Sequence, residues 1–315
     1  MIAHAQELYR NQVQSQLQID PKSFWNYSKS KRGGRVPKRI LKDGVILTDE
    51  QCATEFAKYF HSVYSPNRPE LDVSKAILGA GTENGAARIH LQQLQLGQVQ
   101  QALAQLKPQR SCGPDGIPPF ILRDCRSVLA EPLLYIFYQC LQTAVFPDRW
   151  KTTRVVLVPK GGMGDKVDEY RPIAVLSSPA KVLESAIYKS VFMQVRSQLS
   201  DSQHGFQPKR STTTNLLNYM SQLLPTVDSG GQADAAYFDF KKAFDLVDND
   251  VLLKKLAGVG FTPHLLQVFS SYMMDREQYV DYAGYTSQPY FTWSGASAAG
   301  HRQCCDLEQG KSFAI

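Results

Sequence analysis

The 315-residue sequence predicts a mixed fold of helices and strands. Short β-branched runs bounded by Gly and Pro alternate with longer segments in which apolar residues recur every three or four positions. This alternation is typical of α/β or α+β domains. Apolar residues make up 43% of the chain and charged residues 20%, a globular balance that excludes a wholly disordered chain.

Residues 1–90 are predicted to form a connector with a basic segment and one helix. Thr48 is the expected N-cap of that helix, which continues to about Tyr64. Eight Lys or Arg residues and no acid lie between Lys22 and Lys42. Such a run attracts a phosphate backbone, and a solvated linker is the open alternative. The candidate nucleic-acid-binding residues here are Lys31, Arg32, Arg35, Lys38 and Arg39.

The rest of the chain follows the same alternation, after a loop over 65–90 and with a turn-rich string over 111–119. The apolar spacing predicts helices over 91–107, 120–144, 179–199, 211–224, 250–258 and 265–274. The β-branched and aromatic runs predict strands over 153–159, 170–176 and 233–240, and a hairpin made by 278–285 and 288–293.

No apolar run approaches the ~18–20 residues that span a bilayer, so no membrane partner is expected. The N-terminus has no basic-then-apolar signal pattern, so we expect an intracellular protein, in the nucleus or the cytoplasm. The six cysteines form no CxxC pair and are expected to be free thiols. A metal cluster of His301 with Cys304 and Cys305 is disfavoured, because adjacent cysteines rarely serve one zinc ion.

An acid near the end of an apolar strand is the most informative feature. The run from Ala236 ends in Asp239 and Phe240, where a carboxylate and a backbone carbonyl can bind Mg²⁺ together. Two-metal phosphoryl transfer needs such an acid plus a second carboxylate from another strand. The alternative is an acid-rich helix start, in which Asp245 and Asp248 are first-turn residues. A nucleotide-binding Gly loop at 161–164 lacks the strand–loop–helix context and is disfavoured.

The string Phe-Asp-Phe-Lys-Lys-Ala-Phe-Asp over 238–245 resembles the first catalytic motif of reverse transcriptases from non-LTR (LINE-type) retrotransposons. Six further segments resemble motifs of the same family, and they occur in the same order. They are the Gly-Pro-Asp-Gly turn at 111–118, the segment 156–160, the segment 170–176 followed by Lys181 and Glu184, and the segments 203–212, 276–280 and 294–295. The resemblance covers most of residues 22–295. It implies an α+β fold, the fingers and partial palm of a right-hand polymerase over 91–295.

The resemblance also implies roles for individual residues. Asp239 would be the catalytic, metal-binding carboxylate, with Mg²⁺ held beside the Phe240 carbonyl. Lys160 and Arg171 would bind the incoming dNTP with Phe240 and Phe244, and the Phe244 ring would exclude a 2′-hydroxyl. Asp115 and Arg210 would each have a structural role or contact the template backbone. The implied partners are an RNA template, a DNA primer and a dNTP.

The resemblance stops after Ser294-Gly295. Residues 296–315 lack the Val-Pro-Gln-Gly-Ser-like turn and read as a tail foreign to the family. No Asp-Asp hairpin follows by residue 315, so the palm sheet is expected to be incomplete and the thumb absent. We therefore expect weak or no polymerase activity from this chain. The alternative is a non-catalytic remnant that at most binds nucleic acid.

Overall fold

Eight α-helices, three short 3-10 helices and seven strands make up the regular structure of the described chain. The computed structural model describes residues 40–42, 44–64, 89–91, 93–109, 111–160, 164–240 and 242–293. The helices are α1 Asp49–His61, α2 Leu96–Ala104, α3 Pro119–Asp124, α4 Arg126–Thr143, α5 Ser178–Val195, α6 Thr212–Asp228, α7 Asn249–Val259 and α8 Pro263–Met273. The strands are β1 Leu41–Lys42, β2 Val45–Ile46, β3 Thr152–Pro159, β4 Tyr170–Val175, β5 Arg276–Tyr282, β6 Tyr285–Thr286 and β7 Tyr290–Trp293.

The main sheet is built around β3. It has the order β4-β3-β5-β6, and β7 also pairs with β5. β3 is antiparallel to β4 and parallel to β5, with Val155 opposite Ala174 on one side and Val280 on the other. Both edges of β3 are therefore occupied. Val155 and Val280 are almost fully buried, as expected for the centre of a sheet.

Two hydrophobic cores hold the molecule together. The larger one lies among α2, α4, α5, α7 and α8, with Leu103, Phe137 and Leu183 among its buried side chains. The smaller one lies between α1 and the main sheet. There the Phe56 ring packs edge-on against Tyr170 at 5.0 Å and tilted against Tyr282 at 5.7 Å. Aromatic pairs at these distances stabilise a core beyond their buried area.

Most of the predicted elements are confirmed. Thr48 caps α1 through a capping box, and the strands expected at 153–159, 170–176 and 278–293 are present with small shifts of their ends. The expected helices are also present, although the one expected over 91–107 is shorter and covers only Leu96–Ala104. The helix expected over 120–144 is broken at Cys125, whose backbone (φ −92°, ψ 16°) ends α3 and begins α4. Cys52, Cys112, Cys125 and Cys140 are free thiols, as expected. No helix in the described ranges is long and apolar enough to cross a membrane.

One strand prediction is wrong. Residues 233–240 form no regular secondary structure, and each of these residues is exposed to solvent. A strand exists only where its backbone groups join a ladder, and both edges of β3 are taken by β4 and β5. Within the described chain, no other strand pairs with this segment. The basic residues at 22–39, most of the loop at 65–90 and the tail at 296–315 lie outside the described residues.

Candidate nucleotide-binding site

The β3–β4 hairpin places the two predicted nucleotide-binding cations side by side. Arg171 lies opposite Val158 in the ladder, and the Lys160 amide donates to the Glu169 carbonyl at 2.8 Å. Side chains two positions apart on a strand share a face, so Lys160 and Arg171 project from the same face of the hairpin. Both side chains are exposed. Lys160 Nζ donates to the Asp168 carbonyl at 2.7 Å, which holds the amine near the end of the hairpin.

The Gly-Pro-Asp-Gly turn is fixed to the start of α5. Asp115 Oδ2 accepts from Ser177 Oγ at 2.6 Å and from the Ser178 amide at 3.2 Å. A carboxylate there is favoured because the first amides of a helix lack partners and carry positive partial charge. Asp115 Oδ1 also accepts from the Ile117 amide at 3.1 Å. These contacts support the structural role that the sequence left open for Asp115.

Gly113 sits where no side chain fits. A Cβ at this position would lie 2.5 Å from the Leu176 carbonyl oxygen and 2.9 Å from the Ser177 nitrogen. The backbone of the turn therefore lies directly against the backbone of Leu176 and Ser177, which connect β4 to α5. Two strings that the sequence placed far apart, 111–119 and 170–178, thus form one packed unit.

Arg154 on β3 ties this unit to the sheet, a role that sequence reasoning missed. One guanidinium nitrogen donates to Asp281 Oδ2 on β5 at 3.0 Å. The other donates to Ser111 Oγ at 3.1 Å and to the Cys112 carbonyl at 2.8 Å. Arg is suited to this task because its planar fork serves several acceptors at once. An arginine within a β-branched run was the only signal available in the sequence.

Asp239 lies apart from this unit in the exposed segment at 233–240. The neighbouring rings of Phe238 and Phe240 are 90% and 82% exposed, so the rest of the described chain does not cover this apolar run. No hydrogen bond or ion pair joins Asp239 to Lys160 or Arg171 among the residues described. The structure therefore brings together the two predicted cations but not Asp239, the predicted metal-binding carboxylate.

The residues after Asp239 pack against α1 and the β5–β7 hairpin. Lys242 Nζ lies 4.5 Å from the centre of the Tyr59 ring, a cation–π contact. Asp245 is half-buried beside Tyr64 and Tyr290, and burial raises the pKa of its carboxyl above the ordinary value. Burial together with the Asp245 charge raises the pKa of Tyr64 to about 12. This turn is anchored, while the run that carries Asp239 is not.

The carboxylates near Asp239 do not fit a divalent-metal site in this arrangement. Asp248 Oδ1 accepts from the amides of Asp250 and Val251 and so caps α7. The alternative interpretation as an acid-rich helix start is thus confirmed in part, because Asp248 is the cap and not a first-turn residue, and Asp245 lies before the helix. Asp245 is held among aromatic rings. Across the described ranges, no group of three or more His, Cys, Asp or Glu side chains is placed to hold a metal ion.

The remaining predicted residues make local contacts. The Phe244 ring is 76% exposed and meets Phe206 edge-on at 5.7 Å. Arg210 donates to the Asp201 carbonyl and forms an ion pair with the Asp201 carboxylate at 3.1 Å. That pair fixes the loop before α6 and leaves part of the guanidinium exposed. The candidates Lys31, Arg32, Arg35, Lys38 and Arg39 lie outside the described residues.

Glu184 on α5 is a partly buried acid whose surroundings sequence reasoning did not predict. Tyr272 Oη on α8 donates to Glu184 Oε1 at 2.9 Å. Burial raises the pKa of the Glu184 carboxyl, although the Tyr272 hydrogen bond and the charges of Arg276 and Lys181 oppose that rise. The Arg276 guanidinium lies over the Tyr272 ring at 4.7 Å and donates to the Tyr272 carbonyl at 3.1 Å.

Comparison with known proteins gives the class of this fold. Residues 158–301 match the family of "Reverse transcriptase (RNA-dependent DNA polymerase)". This range includes the β3–β4 hairpin from Val158 onward, α5, the Asp239 segment and the β5–β7 hairpin.

The individual proteins to which the chain is similar come from mobile elements. The chain is 25% identical over 272 residues to the RNA-directed DNA polymerase from mobile element jockey of Drosophila melanogaster, with 84% of this chain and 30% of the relative covered. It is 29% identical to the probable RNA-directed DNA polymerase from transposon BS of the same fly, over 58% of this chain and 20% of the relative. It is also 31% identical to a 115 kDa protein in the type-1 retrotransposable element R1DM of Drosophila melanogaster, over 53% of this chain and 16% of the relative.

Just under half of the chain, residues 158–301, is thus similar to reverse transcriptases, and the relatives named here are polymerases or proteins of mobile elements. The chain spans less than a third of the length of each of these relatives.

Proposed function

We propose that this chain supplies the nucleotide-binding part of an RNA-directed DNA polymerase of a non-LTR retrotransposon. In this proposal residues 91–295 are the fingers and part of the palm of a right-hand polymerase, and residues 1–90 are the connector. The observation that carries the proposal is the shared, exposed face of the β3–β4 hairpin that presents Lys160 and Arg171.

The chemistry of these two side chains suits a triphosphate. Arg171 can engage two phosphate oxygens at once through its planar fork, and Lys160 adds a mobile point charge. Phe244 is proposed to limit the pocket at the sugar 2′ carbon. Arg210 and the basic run that includes Lys31 are proposed to contact the template and primer backbone.

The role of Asp239 as the first metal-binding carboxylate remains a prediction. In two-metal polymerases a divalent ion stabilises the charge that develops during phosphoryl transfer. Because the described carboxylates around Asp239 do not form such a site, we derive no catalytic step from this arrangement.

Nucleotide binding tests the proposal directly. A fluorescent dNTP is titrated into the full chain, and the affinity is compared for Lys160→Ala and Arg171→Ala. Each substitution should weaken binding about tenfold or more, because a charged hydrogen bond to phosphate is lost. Lys107→Ala and Arg149→Ala remove exposed cations outside the hairpin and should leave the affinity unchanged. Equal affinities for all five proteins would contradict the proposal.

The exposed position of Asp239 favours a second candidate, a nucleic-acid-binding protein without catalysis. It predicts that the chain binds a primed RNA template with an affinity that falls steeply with salt, and does not extend the primer. Primer extension that Asp239→Asn abolishes would refute this candidate and establish a polymerase. Binding without extension in both proteins would support it.

A further inference from the structure

A cavity of about 350 Å³ opens between the second half of α5 and α8. Its walls are mainly aromatic and aliphatic, and the rings come from Phe146, Tyr188, Phe192, Phe261, Phe269 and Tyr272. Several rings brace one another edge-on, with 5.0 Å between Phe146 and Tyr272 and 5.7 Å between Phe261 and Phe269. The volume lies within the ~300–1,000 Å³ range of small-molecule sites.

One carboxyl group is set into this apolar wall. Glu184 lines the cavity, and its Oε1 accepts the hydrogen bond from Tyr272 Oη. In the part of the chain that the structure describes, Glu184 forms no ion pair, and no donor is placed on its Oε2. The nearby Arg276 faces the Tyr272 ring and carbonyl instead.

This arrangement is complementary to a cation with an apolar body. A carboxylate removed from water is costly unless a positive charge compensates it. The two cations whose charges act on Glu184, Arg276 and Lys181, form no ion pair with it among the described residues. The faces of aromatic rings carry negative potential and attract organic cations. A carboxyl at the wall and aromatic rings around it together select positive charge joined to apolar surface.

We propose that this cavity binds a small organic ammonium compound, with its nitrogen at Glu184 and its aromatic or branched body against the rings. The proposal does not depend on polymerase activity or on dNTP binding. Another segment of this chain or a second copy of it would exclude such a compound from the cavity, and either case would appear in the experiment as absence of ammonium binding.

The test compares two probes of the same shape. Phenethylammonium and neutral 2-phenylethanol are titrated into the full chain by calorimetry at pH 7. The ammonium should bind saturably at one site, and the alcohol should bind about tenfold or more weakly. Absence of saturable ammonium binding would overturn the proposal, including the case in which protein already fills the cavity. Equal affinity for the two probes would also overturn it.

Two variants locate the binding. Glu184→Gln keeps an oxygen acceptor for Tyr272 but removes the charge, so the preference for the ammonium should disappear. Glu131→Gln makes the same change at an exposed position of α4 and should leave the preference intact. Val191→Phe adds volume to the cavity wall and should weaken the binding of both probes. An unchanged preference in Glu184→Gln would refute the site, and if that variant fails to fold, the two probes on the unmodified chain decide.

Discussion

The Gly113–Asp115 turn with the β3–β4 hairpin, and the Asp239 segment at 233–240, differ in how they are held. The first is fixed by Arg154, by the Asp115 cap on α5 and by the close approach of Gly113 to Leu176. The second has no ladder partner in the described chain, and its rings are exposed. Both contain strings that resemble motifs of one family, and the reverse transcriptase match over residues 158–301 includes the Asp239 segment but not the turn. A motif therefore identifies ancestry, whereas a functional geometry also needs neighbouring elements that hold it.

The largest difference should follow from removing a buried leucine from α5, the helix that Asp115 caps, and an exposed leucine from α6, which precedes the Asp239 segment. Leu183 on α5 is 1% exposed and Leu216 on α6 is 60% exposed. Leu183→Ala should lower the free energy of unfolding by about 2–5 kcal/mol, because it leaves a cavity in the larger core. Leu216→Ala should change it by less than about 0.5 kcal/mol. Denaturant unfolding followed by circular dichroism measures both, and similar losses would mean that α6 is packed.

A methyl group at Gly113 should destabilise the turn through crowding. Gly113→Ala places a Cβ 2.5 Å from the Leu176 carbonyl oxygen, so the unfolding free energy should fall by about 1–3 kcal/mol. Gly97→Ala is the matched change on α2, where nothing lies within 4 Å of the added Cβ. That control should be neutral or stabilising because alanine favours a helix. Thermal melts of the two proteins give the comparison, and a neutral Gly113→Ala would refute the close approach.

The two motif aspartates should differ in their effect on stability. Asp115→Ala removes the acceptor of three hydrogen bonds and should cost about 1–3 kcal/mol. Asp239→Ala should change the unfolding free energy by less than about 0.5 kcal/mol, because its side chain is exposed. Urea titrations of both variants measure this. A loss of comparable size at Asp239 would show that its segment is paired in solution.

The pH dependence of stability should show the buried charge at Glu184. Burial raises its pKa above 4.5, so the folded chain holds the proton more tightly than the unfolded chain. The stability from this group is present below about pH 4.5 and is lost as pH rises through the raised pKa. The glutamine side chain of the Glu184→Gln variant does not titrate, so the Tm of the variant should rise relative to that of the unmodified chain as pH rises. The expected change is ~2–4 °C for each 1 kcal/mol by which the Glu184 charge destabilises the folded chain. Calorimetric melts from pH 4 to pH 8 test this, and a constant Tm difference would contradict it.

Helix caps and apolar spacing predicted the helices and most of the strands, because these elements depend mainly on residues that are close in sequence. The Thr48 cap and the apolar stripes were sufficient for α1 and for the helices of the larger core. The strand at 233–240 was a wrong prediction, because strand propensity says nothing about which partner supplies the ladder. Arg154 was missed for a related reason, since its acceptors lie 42, 43 and 127 positions away. Long-range pairing is the part of this site that no local pattern encodes.

Backbone amide hydrogen exchange of the full chain tests the central contrast most directly. The account predicts strong protection at Val155 and at β5, whose amides lie in the ladder, and exchange near the unfolded rate across residues 233–240. Protection of residues 233–240 comparable to that of β3 would contradict the account, because it would show that the Asp239 segment is held in a sheet.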